Sequence, residues 1–538
     1  MVVKIEVDLL VQNATVVTAA HVHPAQDIAV KDGKILLLGQ NLASILAATK
    51  VIDAQGAFVT PGGVDSHVHL DQVVEGDDVI CIDDLQIQDS SIEVASTGDN
   101  FESGTRSAIA GGTTTVICFA MQTRADTSLV PVVADYHRKS TGQAYCDYGF
   151  HIILTNPTPA IMTGELPGMM ADGISSVKLY MTYDPLKLGD KEMLDVMMAT
   201  RALGMTTMVH AENADMISWI GERLMEKNLN SPFYHSISRP QIAEDEATYR
   251  AIAMSELTDT PILLVHMSSP TAVSHVRQAQ TRLLPIHAET CPHYLFLTSA
   301  ALRAPHPVSD PFEGAKHICS PPLRASRADL DGMWQGLSNG SVTTFSSDHA
   351  TSQYDHPCGK KRGLADPADP TSAPDYRKVP NGLPGVETRL PTLWEGGVLT
   401  GRLTPQKFVE LTSSNPAKLY GLGNTKGAIA PGYDADLVIW YPTAEQVAAG
   451  DGSAAPMAPF ALTNSHLHHA IDYTPFEGMR FNNWPRYTIL RGNVIWDRDG
   501  GGIVGSKGEG KFLRRGKSTL SKPRGVAAEW EKPENLVA

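Results

Sequence analysis

The 538-residue chain reads as an α/β protein: a (β/α)8 barrel with a small β-sandwich built from both chain ends. Three observations predict this. Eight short apolar runs between residues 64 and 345 are each separated by enough chain for a helix. Strand-like alternation with tight-turn dipeptides fills the start of the chain and returns after residue 425. A doubly wound sheet is the alternative, but no Gly-rich dinucleotide loop supports it.

Residues 1–58 form the first part of the β unit. Leu9 to Val17 alternates loosely, and Asp27 to Leu38 reads as a hairpin turning at Asp32-Gly33. At Thr60 the pattern changes, and residues 59–424 are assigned to the barrel. Its strands are expected at Val64–Val68, Thr113–Phe119, Gly149–Leu154, Ile174–Leu179, Thr206–Val209, Ile262–Val265, Pro285–Ala288 and Val342–Phe345. Residues 351–380 are rich in Pro and Asp, without periodicity, and read as a long loop near the barrel mouth. Residues 425–500 complete the β unit, with strands in Lys426–Trp440 and Tyr487–Trp496. The polar, Gly- and Lys-rich extension 501–538 has too little apolar content to fold alone and reads as a solvated or subunit-contacting arm.

A net charge of −15 with no basic stripe argues against nucleic acid as a partner. The six cysteines show no CxxC spacing, so a disulfide framework is not expected and reduced thiols are the default. The first residues lack a signal pattern, and no apolar run approaches the roughly 18 residues of a membrane helix. A cytoplasmic protein without a membrane partner is the expectation.

Active groups of such barrels sit at the C-terminal ends of strands. The first strand ends in His67-Val-His69, the fourth in Lys178, the fifth in His210, the sixth in His266 and the eighth in Asp348. Residues i and i+2 of a strand share a face, so His67 and His69 can reach one ion together. Neutral imidazoles and carboxylates suit zinc or a similar divalent ion. Lys178 ends an apolar run, where an ammonium is costly to bury. It could snorkel to the surface, pair with an acid, or react with carbon dioxide to give a carbamate, an anionic ligand able to bridge two ions. With a bridging anion, four histidines and one aspartate could hold two ions about 3.5–4 Å apart. A lone strand-end histidine is usually a structural residue, and the chain carries two decoys. His21-Val-His23 lies in the N-terminal β unit, and His466-Leu-His468-His469 precedes a loop outside the barrel. The joint pattern is far more specific than its parts.

The order His-x-His, Lys, His, His, Asp resembles the amidohydrolase superfamily. Longer stretches resemble its dihydropyrimidinase and hydantoinase (cyclic amidohydrolase) family: Pro61-Gly-Gly-Val-Asp-Ser-His-Val-His-Leu-Asp, Gly111-Gly-Thr-Thr-Thr, Val177-Lys-Leu-Tyr-Met-Thr-Tyr183, Val209-His-Ala-Glu-Asn213, Thr290-Cys-Pro-His-Tyr294, Cys319-Ser-Pro-Pro-Leu-Arg324, Pro380-Asn-Gly-Leu-Pro-Gly-Val-Glu387, Ser414-Asn-Pro-Ala-Lys418 and Asp472-Tyr-Thr-Pro-Phe-Glu-Gly478. The resemblance implies two divalent ions, Zn2+ by preference. His67, His69, carbamylated Lys178 and Asp348 would hold the first, and Lys178, His210 and His266 the second. It further implies Asp348 as the proton carrier, Tyr183 as donor to the oxyanion, and main-chain groups at Ser320 and Asn381 as holders of the ring's amide edge. The implied reaction opens a cyclic diamide, a dihydropyrimidine or hydantoin, to an N-carbamoyl amino acid in a homotetramer.

The chain departs from the family at Leu70-Asp-Gln-Val-Val-Glu-Gly-Asp-Asp, where a Met-Pro-Phe type stretch is usual, and in a long interval between Asp348 and Asn381. The acidic residues Asp71, Glu75, Asp77 and Asp78 would repel an anionic ring substituent. Dihydroorotases carry an arginine where Asp71 stands, which disfavours that activity. Allantoinase and cyclic imide hydrolase remain open. A non-catalytic scaffold of the same family is disfavoured because all six expected ligands are retained.

Overall fold

The computed structural model describes residues 4–72, 98–303, 310–365, 372–449, 454–525 and 529–531. The chain begins with β1 (Ile5–Val17), β2 (Val22–Lys31), β3 (Lys34–Gly39), β4 (Leu46–Asp53) and β5 (Phe58–Pro61). The β2–β3 turn falls at Asp32-Gly33, with φ of 51° and 75°. Two consecutive left-handed residues match the right-handed twist of a hairpin, which is why Asp-Gly serves there.

The barrel strands follow: β6 (Gly63–His69), β7 (Thr113–Met121), β8 (Asp147–Ile153), β9 (Ser176–Tyr180), β10 (Thr206–His210), β11 (Ile262–Leu264), β12 (Ile286–Thr290), β13 (Thr344–Phe345) and β14 (His349–Ala350). Neighbours pair in parallel from β6 round to β13, and β14 returns to β6 to close the ring. The expected eighth strand is thus split in two, and Asp348 stands in the break. The strand carrying Lys178 begins at Ser176, because the Ile174 amide donates to the Met169 carbonyl and finishes the preceding helix (2.9 Å).

The remaining strands are β15 (Leu437–Trp440), β16 (Phe460–Ala461), β17 (Arg480–Phe481), β18 (Pro485–Leu490), β19 (Asn493–Asp497) and β20 (Gly502–Ile503). Strand β15 inserts beside β5, so strands from both chain ends join one continuous nine-stranded sheet. Its core buries Leu9, Val11, Ile28 and Val30 against Leu437, Ile439 and Ile489.

A buried ion cluster joins this sheet to the barrel. Lys426 Nζ lies 2.6 Å from both Asp147 and Asp436 and 3.0 Å from Asp434. Asp147 opens β8, so this junction is at the end of the barrel opposite the strand-end histidines. The C-terminal extension lies along the same end of its own barrel. Leu513 N donates to Tyr148 O (2.7 Å), and Arg515 N to Gly173 O (2.9 Å). The buried Arg515 guanidinium donates to Phe150 O and to Ser176 Oγ.

Cys118, Cys146, Cys291 and Cys319 are free and buried. Cys358 is disulfide-bonded, against the default of reduced thiols, since scattered spacing does not disclose a pairing. The 351–380 loop holds two short 3-10 turns, Lys360–Gly363 and Tyr376–Lys378. Glu75, Asp77 and Asp78, like residues 366–371 of that loop, lie outside the described residues. Among the described residues no helix is long and apolar enough to cross a membrane.

Candidate metal centre

The six strand-end residues converge on one end of the barrel. His69, Lys178, His210, His266 and Asp348 line a cavity of about 1040 Å3, together with Tyr183, Ser320 and Asn381. His67 is buried just beneath, its Nε2 2.8 Å from Lys178 Nζ and 3.1 Å from Asp348 Oδ1. His69 Nε2 lies 3.6 Å from the same Asp348 oxygen. One ligand atom each from His67, His69 and Asp348 lie within 4.8 Å of one another, a group able to hold a metal ion. The His210 and His266 rings meet at 4.5 Å, and the His67 and His266 rings at 5.3 Å. The decoys lie elsewhere: His21 and His23 are exposed on the β sheet, and His468 Nδ1 pairs with Glu387 at 2.9 Å.

The backbone is bent to make this arrangement. Tyr183, His266 and Asp348 have φ of 68°, 37° and 47°. Residues with a Cβ rarely adopt such angles, and they persist where surrounding structure over-determines them.

Electrostatics favour neutral imidazoles at His69, His210 and His266; at His67, burial and the Lys178 charge are outweighed by the Asp348 and Glu289 carboxylates, and the ring is raised above its ordinary value. Burial pushes His69 down to about 4 and lowers His210 and His266. Neutral rings are the form that ligates metal. Burial alone would raise the Asp348 carboxyl, but the His67 ring's charge and hydrogen bond, with that of His69, hold it well below the usual range. Lys178 is 1% exposed, and burial pushes its ammonium down to about 8. Its Nζ lies over the Phe119 ring at 4.7 Å and the Tyr180 ring at 4.9 Å; among the described residues no carboxylate comes within ion-pair distance.

Groups that sequence reasoning missed hold the histidines. His67 Nδ1 lies 2.7 Å from Glu289 Oε1, and His69 Nδ1 lies 2.8 Å from Gln72 Oε1. A carboxylate only accepts, so His67 Nδ1 carries a proton; in the neutral ring Nε2, which faces Asp348 and Lys178, is then the atom left to ligate. Glu212 accepts from His210 Nε2 (2.8 Å) and from Arg239 (2.6 Å). Burial would raise the Glu212 carboxyl; Arg239 and His210 hold it down at about 2. The Arg239 guanidinium then lies 5.0 Å over the Tyr183 ring. A charged residue ending the apolar seventh strand was a readable signal for Glu289, whereas nothing in the sequence marks Arg239.

The acidic loop appears differently from the sequence reading. Asp71 does not line the cavity; its carboxylate accepts from Phe101 N at 2.8 Å, in the first turn of the helix Phe101–Ala110 that Asn100 caps. The described mouth includes Arg124, Arg362, Arg377 and Lys378 alongside Asp184 and Glu222. Repulsion of anionic substituents therefore has no support among the described residues.

At the cavity wall, Asn381 Nδ2 donates to Tyr183 Oη at 3.2 Å. Burial raises the Tyr183 phenol above its ordinary value, so it stays protonated and able to donate. The main-chain N–H and C=O groups of Ser320 and Asn381 have no hydrogen-bond partner among the described residues.

Residues 58–495 match the Amidohydrolase family. The chain is 37% identical to a D-hydantoinase of Geobacillus stearothermophilus over 511 residues, 94% of this chain and 96% of that protein. The crystal structure of dihydropyrimidinase from Brevibacillus agri NCHU1002 superposes with a TM-score of 0.82 at 32% identity, over 95% of this chain and 99% of that one. L-Hydantoinase (dihydropyrimidinase) from Arthrobacter aurescens gives 0.77 at 26% identity, over 95% and 100%.

Proposed function

This chain belongs to the amidohydrolase family, and from that premise we propose that it hydrolyses the amide bond of five- and six-membered cyclic diamides, dihydropyrimidines and hydantoins, to N-carbamoyl amino acids. The observation that carries the reading is Lys178 Nζ, buried 2.8 Å from His67 Nε2 with no carboxylate within ion-pair distance among the described residues. An ammonium has no lone pair, so Lys178 in that form cannot join the surrounding imidazoles as a ligand. A carbamate on the same nitrogen reverses the sign and completes an anionic donor set.

The donors suit two divalent ions, zinc above all. His67, His69, Lys178 as carbamate and Asp348 would hold one; Lys178, His210 and His266 the other. His266 Nδ1, buried without a hydrogen-bond partner among the described residues, supports a ring whose polar contacts are made to a ligand. When bound, such ions supply Lewis-acid activation of water and of the ring carbonyl.

The chain's own groups do the rest. The open main-chain edges at Ser320 and Asn381 take up the paired donors and acceptors of a flat cyclic diamide. Tyr183, kept protonated by burial, donates its hydroxyl to the oxyanion that develops on the carbonyl oxygen. Asp348, held ionised, accepts the proton of the attacking water and delivers it to the departing ring nitrogen. Glu289 fixes the His67 tautomer, and Glu212 does the same for His210 through Nε2.

The enzyme acts as a cytoplasmic homotetramer in this reading. Exposed Trp219, Ile242 and Tyr249, on helices Ala214–Glu226 and Gln241–Thr258, support a buried subunit contact; a monomer in light scattering would contradict it.

Rates on dihydrouracil, hydantoin, a 5-aryl hydantoin, allantoin, dihydroorotate and a cyclic imide test the reaction. The expected result is turnover of dihydrouracil and hydantoins with N-carbamoyl amino acid as product. Turnover of allantoin or an imide alone, or of none of the panel, would sink the reading.

A further inference from the structure

Lys360 is a second fully buried lysine, and it does not line the cavity. Its Nζ donates to three main-chain carbonyls: Ile318 O at 2.9 Å, Pro380 O at 2.6 Å and Gly382 O at 2.7 Å. Three acceptors require three N–H donors, which only the ammonium form has. Pro380 and Gly382 bracket Asn381, and Ile318 lies two residues before Ser320. Gly382 N also donates to Ile318 O at 3.0 Å, so the two segments touch where the lysine joins them.

Both segments are tightly placed. Gly382 has φ of 141°, and a Cβ there would meet Ala350 O at 2.1 Å, against the last barrel strand. His235 Nε2 donates to Cys319 O at 2.8 Å, and Tyr294 Oη to Pro321 O at 2.5 Å. The neighbouring carbonyls are thus all occupied, whereas the main-chain groups of Ser320 and Asn381 are open. Lys360 is carried on the short turn Lys360–Gly363, and its own amide donates to Gln353 O at 2.9 Å.

Burying an ammonium costs several kcal/mol unless compensated. Burial pushes Lys360 down to about 7. The titratable groups facing it bring no counter-charge at neutral pH: burial pushes the Cys319 thiol up to about 12, His235 down to about 3 and His317 down to about 4. The three carbonyl dipoles are what holds the charge.

We infer that Lys360 is a positioning residue whose ammonium clamps the Ile318–Ser320 and Pro380–Gly382 segments together, setting the spacing of the two main-chain edges that grip the substrate ring. The inference rests on the proposed role of Ser320 and Asn381. A clamp of this kind acts on the bound substrate and the transition state alike, so its loss falls on KM.

The test is Lys360→Ala in the metal-loaded, full-length enzyme, assayed on hydantoin with and without n-propylammonium, which replaces the missing side chain. KM is expected to rise about tenfold or more while kcat stays within about threefold, with metal content equal to wild type. Propylammonium lowers KM again; tetramethylammonium, of equal charge but without N–H, does not. A wild-type KM, or equal rescue by both salts, overturns the clamp. Should the alanine variant not fold, Lys360→Arg keeps the charge but not the fit, and the same KM rise at unchanged metal content is expected. Amide hydrogen exchange over residues 318–321 and 380–383 reads the clamp without any substrate. Faster exchange there in the variant, reversed by propylammonium, supports it even if no cyclic amide proves to be a substrate; unchanged exchange refutes it even if the proposed reaction stands.

Discussion

Glu289 Oε1 lies 2.7 Å from His67 Nδ1, with both side chains wholly removed from solvent. The two residues are 222 positions apart in sequence, on β12 and β6, and meet only because the barrel closes. The carboxylate orients the ring and makes its other nitrogen more basic toward a ligand. Glu289→Ala is therefore expected to weaken metal binding by about 10–100-fold, read by titration of the metal-free protein. Glu289→Gln, which keeps an acceptor, should lose less. Equal affinity in all three proteins would remove Glu289 from this role.

Lys178→Arg is expected to lose metal and rate together, because a guanidinium stays positive and cannot be carbamylated. Lys178→Ala should recover some rate with a small carboxylic acid that occupies the place of the carbamate. An arginine variant with full metal content and full rate would refute the carbamate.

Carbamylation needs the neutral amine, and Lys178 is pushed down to about 8 by burial. Its ammonium form dominates below that value and its amine above it. At fixed dissolved carbon dioxide, the initial rate of carbamate formation by metal-free protein should rise about tenfold per pH unit below pH 8 and level off above it. A rise that continues to pH 10, as for an exposed lysine, would show that burial does not tune this nitrogen.

Tyr183→Phe should lower kcat by about 10²-fold or more with a smaller change in KM, as for a donor that acts mainly in the transition state. Full kcat in that variant would take Tyr183 out of the oxyanion site.

Much of this was legible in the sequence, for identifiable reasons. Each barrel strand is a short apolar run, and the residues at risk of costly burial, such as Lys178, stand out within them. Strand limits moved by a few residues where capping bonds decide them, as at Ile174. The split of the eighth strand around Asp348 could not be read, because a left-handed aspartate looks like any other. Glu289, Arg239 and Lys360 depend on contacts between distant segments: Arg239 reaches Glu212 across 27 residues, and Lys360 reaches Ile318 across 42. The acidic residues around Asp71 suggested a charged pocket wall, yet Asp71 itself turns to accept from Phe101 N at the start of a helix. Local charge does not reveal which way a loop residue turns.

The C-terminal extension offers a further check on the fold. Arg515 is 3% exposed and donates into β8 and β9 from the end of the barrel opposite the cavity. Removing residues 506–538 should lower thermal stability while leaving KM near wild type in the surviving folded protein. A shift in KM without a loss of stability would show that the extension acts on the cavity.

Elemental analysis of protein that turns over hydantoin tests the central claim most directly. The site built from His67, His69, Lys178, His210, His266 and Asp348 predicts two divalent ions per chain, with activity falling in step as a chelator removes them. Fully active protein carrying less than one ion per chain would contradict it.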